Sequence, residues 1–160
     1  ARVLTAAAAI GGWDGGGAGS SMGLACLSAA GSHLAVLAIA TIGPDQRIAV
    51  ERLVAAIDCG RPINPGLIRQ QVEGGLLAGL ALATAGPVRW HGGMPVGGGS
   101  AALGLRGTPA ITVEVIPSTS PPGGVSGLGT AALAPAVANA IAAGTGRRLR
   151  NLPFAPMSPQ

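Results

Sequence analysis

Apolar and polar positions alternate in two different rhythms along this chain. Val3 to Ile10 is a short, mostly apolar stretch closed by Gly11-Gly12, which predicts a short helix. Gly15 to Ser21 is a glycine/serine connector. Leu34 to Ile42 is a continuous apolar run that predicts a buried strand, and Gly43-Pro44-Asp45 is a turn signal. From Arg47 to Ile57 apolar residues (Ile48, Val50, Leu53, Val54) fall between Arg47, Glu51 and Arg52, so the two runs predict a hairpin. Asn64-Pro65 then opens a helix, because Asn caps free N–H groups and Pro suits the first turn. Leu67, Ile68, Val72, Leu76, Leu77, Leu80 and Leu82 recur near helical spacing through Ala85, with Gly74, Gly75 and Gly79 among them. Each of those glycines costs about 1 kcal/mol against Ala in a helix interior, so close packing or a ligand is expected there.

Gly86 to Gly107 reads as a loop with one short strand around Val88-Arg89-Trp90. Ile111, Val113 and Val115 alternate between Pro109 and Pro117 and predict another strand. Ser118 to Gly129 is a Pro/Gly/Ser loop. A last helix is expected from about Leu133 to Ala143, ending at Gly144 and Gly146, with an extended tail from Leu152-Pro153. The order helix, strand, strand, helix, strand, helix predicts an α+β fold: a mostly antiparallel sheet with two main helices packed on one face. The strands near 34–42, 47–57 and 110–116 should share one sheet.

The 160 residues suit a single domain, 1–160, and 48% hydrophobic against 10% charged residues excludes a disordered chain. With no Tyr, Phe154 as the one Phe, and Trp13 and Trp90, the core must come from Ala, Leu, Val and Ile. Small side chains bury little area, which points to a covering partner surface. All ten basic residues are Arg, and the net charge of +4 reflects scarce acids rather than a basic face. Arg147, Arg148 and Arg150 form one cluster, placed to complement a helix C-terminus. Without interleaved aromatics for base stacking, nucleic acid is not an expected partner. The uninterrupted apolar stretch Gly74–Gly86 is shorter than the ~20 residues of a membrane span, so none is expected. The start faintly imitates a signal sequence, but a short amphipathic helix fits better. The missing initiating Met implies a processed chain or a piece of a longer one.

Cys26 and Cys59 belong to no metal-ligand spacing and read as small buried residues, a disulfide being the other option. His33 and His91 are isolated. Ser20-Ser21 and Ser118-Thr119-Ser120 have no base near them in sequence, and Gly97-Gly98-Gly99 is followed by neither a Lys nor a helix start.

Several motifs in order resemble one family. Asp58-Cys59-Gly60 with Asn64-Pro65, then Gln71-Val72-Glu73-Gly74-Gly75 and Gly79-Leu80, resemble its "DCG…NP" and "QVEGG…GL" signatures. Pro109-Ala110-Ile111-Thr112-Val113 is similar to its "P-x-I-x-V" strand. Ala134-Pro135-Ala136-Val137-Ala138-Asn139-Ala140-Ile141 and Thr145 to Pro153 match its "APAxANAI…TGxRxRxLP" ending, and Arg2-Val3-Leu4 with Gly12-Trp13 its "RVL…GW" start. The family is that of the molybdenum-cofactor subunits of xanthine-oxidase and aldehyde-oxidase type hydroxylases, in the isoquinoline 1-oxidoreductase-like branch. The resemblance covers nearly all of the chain, as the C-terminal half of a molybdenum-cofactor-binding domain.

The resemblance implies a cofactor-binding set of Gln71, Gly74, Gly75, Gly124, Val125, Ser126 and Gly127, and no metal ligands from the chain itself. A glycine-bearing helix start can offer N–H groups to an anionic cofactor; alternatively these glycines only let the helix pack. The family's "GVGEPG" loop carries a glutamate that acts as general base, a role that contributes ~10²–10⁴-fold. Counted back from Ala134-Pro135, this loop is Gly124-Val125-Ser126-Gly127-Leu128-Gly129, with Gly127 at the glutamate position. No catalytic residue is therefore assigned, and Glu114 and Asp58 are not spaced to substitute. The segment usually carrying "NFxxY" is Gly98-Gly99-Ser100-Ala101-Ala102 here.

In function, the resemblance implies a component of a molybdenum-dependent oxidoreductase acting on N-heterocycles or aldehydes. It would complete the cofactor subunit with a companion chain carrying the upstream part, or assemble as a homo-oligomer. The molybdopterin-type cofactor is expected only in that complex and not on the isolated chain. The alternative is a catalytically inactive relative serving as a binding or scaffold subunit; for a free-standing enzyme no residues present themselves. The compartment, bacterial cytoplasm or periplasm, is left open.

Overall fold

The fold is that of a computed structural model, which describes residues 1–84, 89–96 and 108–154. The chain runs α1 (Arg2–Gly11), β1 (Met22–Ala29), β2 (Ser32–Ile42), β3 (Ile48–Asp58), α2 (Pro65–Thr84), β4 (Arg89–His91), β5 (Met94–Val96), β6 (Ala110–Val115) and α3 (Leu128–Thr145). Four strands form one sheet in the order β1-β2-β3-β6; β4 and β5 form a separate small hairpin. β1–β2 and β2–β3 pair antiparallel and β3–β6 parallel. The parallel pair needs a crossover rather than a turn, and α2 lies within that crossover.

Alternation along the strands gives each sheet face its own cover. Leu34, Val36 and Ala38 of β2, Leu53, Ala55 and Ile57 of β3, and Val113 and Val115 of β6 are buried together. Ile68, Val72 and Leu76 of α2 and Leu133, Val137 and Ile141 of α3 cover them. The expectation of two main helices on one face of a mostly antiparallel sheet therefore holds. The residues of opposite parity, Ala35 and Ala56, meet Val3 and Ala7 of α1 on the other face. At Gly11 a Cβ would sit 2.8 Å from Leu37, so α1 lies close against β2 there.

Two elements differ from expectation. The chain from Met22 to Ala29 forms an additional strand, joined to β2 through Ala30-Gly31. Both turn residues have positive φ, 52° and 74°, the requirement of a type I′ hairpin turn. α3 also begins at Leu128 rather than near Leu133, so Pro135 lies inside the helix. α3 is long and apolar enough to cross a membrane by length and composition. Its residues Leu133, Ala136, Val137 and Ala140 are instead fully buried against the sheet and α2. The short strand expected around Val88 to Trp90 appears as β4, paired with β5. The Gly98–Ala102 stretch lies outside the described residues.

Candidate functional site

The chain leaving β6 crosses the end of the sheet before entering α3, and backbone hydrogen bonds hold it there. Arg61 N–H donates to the Ser120 carbonyl, Gly123 N–H to that of Cys59, and Gly124 N–H to that of Ala30, each at 2.8 Å. The loop is thus tied to the β3 exit and the β1–β2 turn. Gly60, with φ of 70°, lies so close that a Cβ would strike the Pro121 carbonyl. Gly123 likewise leaves no room for a Cβ beside Ser32 Oγ and the Gly31 carbonyl. Ser32 Oγ is buried and has no hydrogen-bond partner among the described residues.

α2 starts as the sequence implies, with Asn64 Oδ1 accepting from Leu67 N–H at 3.1 Å. It then crosses the first turn of α3 backbone to backbone. A Cβ on Gly75 would lie 3.3 Å from Gly129 Cα, and one on Gly79 2.8 Å from the Thr130 carbonyl. From the other side, a Cβ on Gly129 would lie 2.7 Å from the Val72 carbonyl and 2.9 Å from Leu76 N. Thr130 Oγ1 donates to the Gly75 carbonyl at 3.0 Å. Gly75 and Gly79 are therefore packing glycines. At Gly74 a Cβ would meet nothing within 4 Å, and the residue is exposed.

The sequence-derived residues converge in part. Gly75 touches α3 two residues beyond Gly127, with Gln71 one turn earlier on α2 and exposed. Gly124, Ser126 and Gly127 are exposed, and half-buried Val125 packs against the core. Gly127 is the N-cap of α3 in the left-handed conformation, φ 73° and ψ −8°, and makes no side-chain cap bond. The first turn of α3 holds no acid. Its leading N–H groups make that end of the helix electropositive. Thr130 and Gly129 were missed by sequence reasoning; small residues spaced at Gly127 and Gly129 were the available signal.

Neither Asp58 nor Glu114 takes the place of the family's glutamate. Asp58 accepts from Gly60 N–H at 3.1 Å and faces Arg2 at 3.6 Å. Glu114 alternates with Val113 and Val115, so it points to the sheet face opposite α2 and α3. Cys59 is buried beneath the loop, and burial, helped by the Asp58 charge, pushes its thiol up, away from nucleophilic chemistry. His33 is not isolated: Ser28 Oγ lies 2.7 Å from its Nδ1 across the β1–β2 pair. Cys26 and Cys59 are both free thiols, and Cys26 is exposed rather than buried. Among the described residues no group of three or more His, Cys, Asp or Glu could hold a metal.

Known proteins resemble this chain in sequence and fold. The molybdopterin cofactor-binding domain family matches residues 15–102. The beta subunit of isoquinoline 1-oxidoreductase from Brevundimonas diminuta is 29% identical over 88% of this chain and 18% of its own length. A membrane-bound aldehyde dehydrogenase (pyrroloquinoline-quinone) from Gluconacetobacter polyoxogenes is 32% identical over 68% of this chain and 14% of its own. Among solved structures, reconstituted CO dehydrogenase from Oligotropha carboxidovorans superposes with a TM-score of 0.60 at 25% identity, covering 72% of this chain and 16% of that one. Quinoline 2-oxidoreductase from Pseudomonas putida 86 gives 0.58 at 25% identity, over 78% of this chain and 18% of that one. The chain thus spans less than a fifth of the length of these relatives. With the family match over more than half of its residues, the chain belongs to the molybdopterin cofactor-binding domain family, among the xanthine-oxidase-type oxidoreductase subunits.

Proposed function

We propose that this chain supplies one wall of a molybdenum-cofactor site in an oxidoreductase acting on N-heterocycles or aldehydes, and completes that subunit with a companion chain. The observation that carries the reading is the meeting of α2 and the α3 N-terminus, where a Cβ on Gly75 would stand 3.3 Å from Gly129 Cα. Gln71 is exposed one turn before Gly75 on α2, and the first N–H groups of α3 have no side-chain cap. The donor set fits an anionic, hydrogen-bond-rich group such as molybdopterin. Helix N–H groups and a carboxamide donate, and both Gly74 and Gly127 leave open space where a Cβ would stand. Gln71, Gly74 and residues 124–127 would hold the cofactor, with Gly75 setting their spacing. The bound molybdenum centre supplies the oxidation–reduction chemistry.

This chain's own residues bind and orient; they do not move a proton. Gly127 carries no ionisable group, so a general base, where the complex is active, comes from the companion chain. Gly127 also favours the second reading, an inactive binding or scaffold subunit. Two measurements separate them. Purified alone, the chain should carry no stoichiometric molybdenum by elemental analysis and should not turn over N-heterocycles or aldehydes. In its natural complex, Gly127→Ala should leave turnover nearly unchanged if the base is external, while Gln71→Ala should lower molybdenum content. A complex without turnover supports the scaffold reading, and turnover by the isolated chain would sink both.

A further inference from the structure

β1 closes one side of the sheet and pairs with β2 alone among the described residues. Its free edge can be read residue by residue. Ala40 N–H donates to the Ser21 carbonyl, so odd-numbered residues of this strand turn their N–H and C=O toward β2. Even-numbered residues, Met22, Leu24, Cys26 and Ser28, turn theirs outward. Two outward groups are already engaged: Met22 N–H donates to Ser20 Oγ at 2.9 Å, and Asn139 Nδ2 donates to the Leu24 carbonyl at 2.9 Å. The open groups are therefore the Leu24 N–H and both backbone groups of Cys26 and Ser28, with Cys26 at their centre.

Folded proteins guard such edges with charge, proline or a bulge. Met22–Ala29 contains no charged residue and no proline, and its register with β2 is unbroken. The absence of charge matters for a second copy in particular. Around a two-fold axis every residue meets its own kind or a symmetry mate, so like charges would repel. We propose that this edge is an interface between two copies of the chain. Their β1 strands run antiparallel about a two-fold axis at Cys26 and join the two sheets into one. Leu24 then lies opposite Ser28 of the second copy, and Cys26 opposite Cys26 in a hydrogen-bonded pair. The Cα atoms of such a pair lie ~5.5 Å apart, which brings the two exposed thiols together. Each Cys26 N–H then meets the other copy's Cys26 carbonyl and each Leu24 N–H its Ser28 carbonyl, while the Leu24 carbonyl keeps its bond from Asn139. This proposal does not rest on the functional reading above, and Gly124, which donates to the Ala30 carbonyl, brings residues 124–127 to the end of the same edge.

The test uses the whole chain under reducing conditions. Light scattering across a concentration series should show a monomer–dimer equilibrium, and a short bis-maleimide should trap the dimer through Cys26, Cys59 being buried. Cys26→Ser should still dimerise but lose the cross-link. Cys26→Lys sets two like charges across the axis and should weaken association at least about tenfold. Its circular dichroism melt should match the wild type, since residue 26 is exposed. Ser28→Lys supplies a second charged edge should Cys26→Lys fail to fold. A wild-type chain that stays monomeric up to millimolar concentration would overturn the proposal. So would a folded Lys variant that dimerises as well as the wild type.

Discussion

Gly74 and Gly129 sit on helices a few ångströms from the same crossing, yet substituting them should have opposite effects. Gly129→Ala drives a methyl group against the Val72 carbonyl and Leu76 N, both backbone atoms that cannot step aside. Overpacking of this kind should cost about 1–3 kcal/mol in chemical denaturation. Gly74→Ala meets open space in a helix interior and should gain about 0.5–1 kcal/mol. Asp14 offers a test by pH. Its exposed carboxylate accepts from Gly16 N–H at 2.9 Å and from Ser20 Oγ at 2.9 and 2.7 Å. These bonds, the backbone one first, hold its pKa below the ordinary 3.8. A depressed carboxylate pKa stabilises the fold above the ordinary aspartate range. That contribution is lost as pH falls through the lowered value. Ser20→Ala should move the Asp14 titration midpoint, followed by carboxyl NMR, back toward 3.8.

At the scale of elements, strong periodic signals were readable and weak ones were not. The Leu34–Ile42 and Arg47–Ile57 strands and the capped helix from Asn64-Pro65 stand in the structure within a residue or two of their expected bounds. β1 was invisible because Met-Gly-Leu-Ala-Cys-Leu-Ser-Ala has no β-branched residue and a glycine near its start. That glycine is there for packing: a Cβ on Gly23 would collide with the α3 backbone at Ala136 and Ala140. The early start of α3 was hidden by Gly129 and by Pro135, which sequence rules place in a first turn. The hairpin turn itself is improvable. Ala30 holds a φ of 52°, which costs an L-residue with a Cβ about 1 kcal/mol, while Asn-Gly is the preferred pair for this turn. Ala30→Asn should raise stability by about 0.5–1 kcal/mol, read as a higher denaturation midpoint. An unchanged or lower midpoint would speak against the type I′ assignment.

For the molecule as a whole, the family was legible because its motifs sit where the chain turns a corner. The Asp58–Asn64 exit, the glycines of α2 and the loop into α3 are places where only certain residues fit. Composition said little about the proposed cofactor surface, since the roles proposed for Gln71 and Gly127 rest on position rather than type. The parallel pairing of β3 with β6 has a further consequence, in the order of folding. β1, β2 and β3 are joined by short turns and can zip up from local contacts, whereas Arg52 must wait for Ala110 to return from across α2. Closing so long a loop carries an entropic cost that local hairpins avoid, and such pairings form late and open early. Native-state hydrogen exchange should therefore find a partly unfolded form in which β6 amides exchange while those shared by β2 and β3 stay protected. Equal protection of both sets would mean that the sheet opens only as a unit. If β6 does leave first, the loop into α3 is freed at its β6 end and stays held by its backbone bonds to Cys59, Arg61 and Ala30. The wall proposed for a cofactor would then loosen at one end before the rest of the sheet opens.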